Sequence, residues 1–126
     1  MADKLFGPMD GIDEDTCLDM YDGNSDFYVL VLDTFCKEIA RTHSRMKEAF
    51  DNEQIEDYRI LVHGLKGSGG SAGATGLVAL ATKSNALIKE GDWNGAKLLH
   101  EPIMEEISRL TAMIPERISQ KAGEQL

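Results

Sequence analysis

From Asp26 to Phe50 the chain runs without a proline or a glycine, and Phe27, Leu30, Val31, Thr34, Phe35, Ile39 and Met46 recur at spacings of three and four. That period marks one face of a helix. A long helix with a single apolar stripe must cover that stripe with other elements, and an all-helical bundle is the economical solution. Composition agrees: 42% of residues are hydrophobic and only 6% aromatic, which suits a core of Leu, Ala, Ile and Met. At 126 residues the chain is one domain, large enough to bury a core without disulfides or metals.

The other segments repeat this pattern. Residues 1–11, punctuated by Gly and Pro, read as a partly ordered tail apart from Leu5 and Phe6. Ile12, Cys17, Leu18 and Tyr21 fit a short amphipathic helix opened by Asp13, with acidic residues at its N-terminus, that caps the bundle. Asp22-Gly23-Asn24 makes a turn, and Asn24 or Ser25 can N-cap the long helix. Asp51-Asn52-Glu53 breaks the pattern before Ile55, Tyr58 and Leu61 begin the next helix. Thr75 is the expected N-cap of a helix that runs to Lys89 and is stopped by Gly91. Asp92 caps a last segment in which Pro102 either kinks one long helix or starts a second. Its stripe of Ile103, Ile107, Leu110 and Ile114 ends at Pro115, and residues 119–126 are expected to fray. The prediction is an antiparallel four-helix bundle over residues 12–118 with a short N-terminal capping helix.

One stretch departs from this regularity. Leu61 to Ala74 reads LVHGLKGSGGSAGA, with one histidine and one lysine among residues almost too small to cover them. On a helical wheel, Lys66, Gly67, Gly70 and Ala74 lie within roughly 60° of His63, and Leu61, Leu65 and Ala72 point the other way. Arg59, one turn before His63, falls on the same face. A helix here has an apolar back and a nearly bare front. Four glycines from Gly67 to Gly73 also allow a flexible loop, since each costs a helix interior about 1 kcal/mol relative to alanine. Gly73 serves either as a contact on the bare face or as a left-handed helix terminator.

These residues resemble the histidine-containing phosphotransfer (HPt) domains of multistep two-component phosphorelays. Such domains carry a His-x-x-Lys-Gly core, small residues after it and a further glycine ten positions beyond the histidine, matched here by His63, Lys66, Gly67 and Gly73. An acidic entry segment, a Tyr- and Phe-rich helix and a Gly-Asp break extend the similarity over most of the chain. The resemblance implies that His63 accepts the phosphoryl group. It also implies that a receiver domain supplies the aspartate and magnesium, so this chain holds no cofactor and is not itself an enzyme. Family members place a glutamine on the following helix against the imidazole; Asn85 stands at the matching position, one methylene shorter.

The residue types suit that chemistry. A histidine with an unperturbed pKa of about 6.5 offers a lone pair at neutral pH, and Lys66 and Arg59 can offset the charge of a phosphoramidate. Glycine at 67 and 70 leaves room for a partner's approach. No carboxylate pair, Ser-His-Asp set or metal-ligand spacing surrounds His63, so nothing local activates water. The net charge of −9 argues against nucleic acid and anionic membranes. Cys17 and Cys36 lack metal-site spacing and read as reduced, packed thiols, and His43 as a solvated surface residue. With no signal peptide or membrane span, the expectation is a cytoplasmic monomer exchanging phosphoryl groups between a hybrid sensor histidine kinase and a response-regulator receiver domain. Two alternatives stand beside it: a non-phosphorylated helical adaptor docking receiver or kinase domains through the same face, and a metal or enzymatic site joining His63 to His100 and Glu101.

Overall fold

The computed structural model describes the backbone of residues 9–124 and the side chains of residues 9–120. Five helices follow one another among the described residues: α1 (Glu14–Met20), α2 (Ser25–Asp51), α3 (Ile55–Ala72), α4 (Thr75–Lys89) and α5 (Trp93–Glu124). No strand occurs among them. α2 and α4 each pack against both α3 and α5, so the four long helices close a ring around one core. Their links are too short for a crossover, which makes neighbours antiparallel. α1 lies across α2 and α3 at one end, where the expected capping helix belongs.

Side-chain caps set three of the helix starts. Asp13 Oδ1 accepts from the Thr16 amide at 3.2 Å, Asn24 Oδ1 from Phe27 at 3.0 Å and Asp92 Oδ1 from Gly95 at 2.8 Å. Thr75 does not play this part. It is the first residue inside α4, and Ala74 is the cap residue, with no side-chain bond.

The stripe on α2 is turned relative to the sequence expectation. Phe35, Ile39 and Met46 are buried as expected, but in the first turns Tyr28 and Leu32 face the core while Phe27 and Leu30 stand 44% and 59% exposed. Both faces of those turns are apolar, so spacing alone does not choose between them.

Leu5 and Phe6 lie outside the described residues, but Met9, assigned to the partly ordered tail, is buried in the core. At the other end α5 is one helix that continues through both Pro102 and Pro115 and past Ser119, where fraying was expected. Both prolines are exposed, where water can replace the missing amide donor. Cys17 and Cys36 are buried and unbridged. Burial raises both thiol pKa values, that of Cys36 to about 11, so they pack as neutral groups. No helix among the described residues is long and apolar enough to cross a membrane.

Candidate functional site

α3 stays helical through Gly64, Gly67, Gly69 and Gly70 to Ala72, which excludes the loop alternative. Tertiary packing overrides weak propensity, since Tyr58, Val62, Leu65, Gly69 and Ala72 form one buried face. Gly73 ends the helix in the left-handed region at φ 80°, with its own amide and that of Ala74 bonded back to the Gly70 and Gly69 carbonyls at 3.3 and 2.8 Å. Of its two suggested uses, the structure gives Gly73 the terminating one.

On the opposite face His63 stands exposed, and its imidazole forms no hydrogen bond with another described residue. An added Cβ at Gly64, Gly67 or Gly70 would meet nothing within 4 Å, so the surface beside the ring is open backbone. Ser68 and Ser71 keep it low: their hydroxyls fold back onto the Gly64 and Gly67 carbonyls at 3.1 and 3.2 Å. Lys66 is half-buried on the flank of this face and forms no ion pair among the described residues.

Three candidates stand differently from the expectation. Ala74 is wholly buried: the helix stops at Ala72 and the chain turns at Gly73, so the wheel no longer applies to it. Arg59 lies on the expected face, but its guanidinium grips the Glu56 carboxylate through Nε and Nη2, with the shortest contact at 2.6 Å. Its charge is thereby already matched. Asn85 is buried on α4, and its Oδ1 has no hydrogen-bond partner among the described residues, so it does not hold the His63 ring.

Other residues join the site that sequence reasoning did not select. Phe27, Leu30, Val31 and Thr34 of α2 form one wall of a groove whose other wall is Gly67, Ser68 and Ser71 of α3. Ile60, one turn before Gly64, is also exposed. A signal existed for Ile60, which lies about 60° from His63 on the same wheel. None existed for Leu30, whose outward orientation depends on how α2 meets α3.

His100 and His43 belong elsewhere. The His100 ring stacks on Phe50 at 3.8 Å between centroids, and its Nδ1 lies 2.8 Å from the Tyr58 hydroxyl. His43 is half-buried, not fully solvated. No group of His, Cys, Asp and Glu suited to hold a metal ion occurs among the described residues, and the link from His63 to His100 and Glu101 does not form.

The four-helix bundle thus presents an exposed histidine on a glycine-faced helix. The model of the Hpt domain matches residues 30–118, and the chain belongs to that family of histidine phosphotransfer domains. Among solved structures it is similar to histidine-containing phosphotransfer protein B from Pseudomonas aeruginosa, with a TM-score of 0.76 at 19% identity, over 89% of this chain and 98% of the other. At that identity the likeness speaks for the fold. No curated protein matches the chain.

Proposed function

We propose that this chain carries a phosphoryl group on His63 and exchanges it with the aspartate of a receiver domain, taking its supply from a hybrid sensor kinase through such a domain. The observation that carries the reading is the His63 ring itself, exposed, without a hydrogen bond among the described residues and flanked by open glycine backbone. In the forward step a ring nitrogen forms a bond to phosphorus as the acyl-phosphate oxygen–phosphorus bond breaks, which returns the aspartate as a free carboxylate. The other ring nitrogen keeps the proton. Lys66 offsets the charge that arrives, and the receiver brings the magnesium that phosphoryl transfer requires. The exposed apolar groove beside Gly67 supports docking of a protein partner over that of a small molecule.

The test is incubation with a phosphorylated receiver domain and magnesium. The parent should gain acid-labile, base-stable label, and His63→Gln should gain none. Label that persists in His63→Gln and maps to His43 or His100 would refute the assignment. Binding without any label on the parent would favour the adaptor instead.

A further inference from the structure

The last turn of any helix leaves its carbonyls without partners inside the helix. In α3 this end is also its weakest part, because Gly67, Gly69 and Gly70 crowd into it. Donors from outside α3 complete the turn. The Ser71 carbonyl accepts from the Tyr21 hydroxyl at 2.8 Å and from Cys17 Sγ at 3.7 Å. The Ala72 carbonyl accepts from the Tyr28 hydroxyl at 2.9 Å, and that of Gly73 from the Asp13 amide at 2.7 Å. With the Gly69 and Gly70 carbonyls already closed by the Ala74 and Gly73 amides, each carbonyl from Gly69 to Gly73 has a donor.

The position of this turn matters for exchange. Ser71 lines the groove together with Gly67 and Ser68, opposite Phe27 and Leu30, while Gly69, Gly70 and Gly73 line a second apolar depression against Met20 and Val78. Loosening the turn therefore deforms the surface beside His63 without touching the imidazole, which lies more than two turns away. Tyr28 is wholly buried, so its hydroxyl also serves the core; Tyr21 is only half-buried.

We propose that the Tyr21 hydroxyl is a positioning group for phosphoryl exchange: by holding the Ser71 carbonyl it keeps the last turn of α3, and the groove wall that turn forms, in the shape a receiver docks on. The inference rests on the phosphocarrier reading above. α1 and the turn after it are then more than a cap, because they complete the docking surface at a distance.

Tyr21→Phe is the decisive variant. It removes one oxygen and keeps the ring against Phe27 and Tyr28, with centroids 5.0 and 6.2 Å away. Phosphotransfer should be measured over a range of phosphorylated receiver concentrations, with amide hydrogen exchange on the same samples. The amides from Gly70 to Ala74 should exchange faster while those in the middle of α2 and α4 hold. The receiver concentration that gives half the maximal single-turnover rate should rise about fivefold, the equivalent of one hydrogen bond, with the maximal rate within about twofold of the parent. Ile107→Val, a core change on α5 of comparable cost, should leave the half-saturating concentration alone.

An unchanged half-saturating concentration, unchanged amide exchange at the turn, or an equal rise of the half-saturating concentration in Ile107→Val would each overturn the proposal. A parent that accepts no label from any receiver would overturn the carrier reading and this inference with it, and that failure is visible before any variant is compared.

Discussion

A methyl group added at Gly67 and one added at Gly69 meet opposite surroundings two residues apart. At Gly67 there is nothing within 4 Å, whereas at Gly69 the new carbon would lie 2.7 Å from Val78 Cγ2, on a side chain with little rotameric freedom. Gly67→Ala should raise stability by up to about 1 kcal/mol. Gly67→Gln should stay folded yet slow exchange, because its side chain occupies the approach to His63. Gly69→Ala should lower stability by about 1–3 kcal/mol through overpacking against α4. Thermal unfolding and transfer rates on the same samples decide the matter: parental exchange in Gly67→Gln would move the docking face elsewhere, and undiminished stability in Gly69→Ala would mean that α4 yields at Val78. Lys66 is a separate case, since on the proposed reading it acts through charge alone. Lys66→Ala should slow phosphorylation by about two- to fivefold at low salt, with the difference shrinking as salt rises. A deficit insensitive to salt would instead assign Lys66 a contact role.

The helices show which parts of the structure a sequence can disclose. Caps at Asp13, Asn24 and Asp92 were legible because each is a bond to a residue three positions away. The exposed histidine face was legible for a similar reason, as helical geometry fixes it locally. The turn of α2 was not, because apolar residues occupy both faces near Phe27 and the choice is made by packing and by the bond from Tyr28 to Ala72, forty-four residues away. Ala74 was misplaced by carrying the wheel one step past Gly73. Arg59 could have been read better, since Glu56 three residues upstream is a local partner. The burial of Asn85 was legible in the spacing, since it stands four residues after Ala81 and three before Ile88 on the buried stripe of α4. At Gly73, where α3 ends, backbone and packing requirements coincide. A Cβ there would approach the Asp13 carbonyl oxygen to 2.7 Å and Cys17 Sγ to 2.8 Å, in addition to the strain of a positive φ. Gly73→Ala should therefore cost about 1–3 kcal/mol from the conformation alone and displace α1 as well. Loss of amide protection in α1 together with a lower Tm is the expected result; a lower Tm with α1 still protected would confine the effect to the turn.

At the scale of the whole molecule, one aromatic group packs at the last turn of the site helix, around Tyr21, and another near its start. Phe50, Tyr58 and Trp93 surround His100, whose ring is stacked on Phe50 and joined to the Tyr58 hydroxyl. Burial holds the His100 pKa below its ordinary value; Glu101 and Asp51 pull it upward, and His43 and Lys47 push it down. The sign of the pH effect follows. The folded state resists a proton that the unfolded chain takes up readily, so this contribution to stability is complete above about pH 6.5 and falls as the pH drops below it, until the folded ring also protonates. Acid also acts on the whole chain, because a molecule of charge −9 loses self-repulsion as its carboxylates titrate. That opposing effect is common to the parent and to His100→Gln, whose side chain carries no charge at any pH. The difference in unfolding free energy between the two proteins therefore isolates the histidine. The parent should lead by a constant margin at pH 7.5 and above, and the margin should narrow steadily toward about pH 5. Urea unfolding at each pH supplies the measurement. A margin that stays flat across this range would mean that the ring protonates as easily inside the aromatic cluster as in water, and that burial against Phe50 and Tyr58 does not govern its charge.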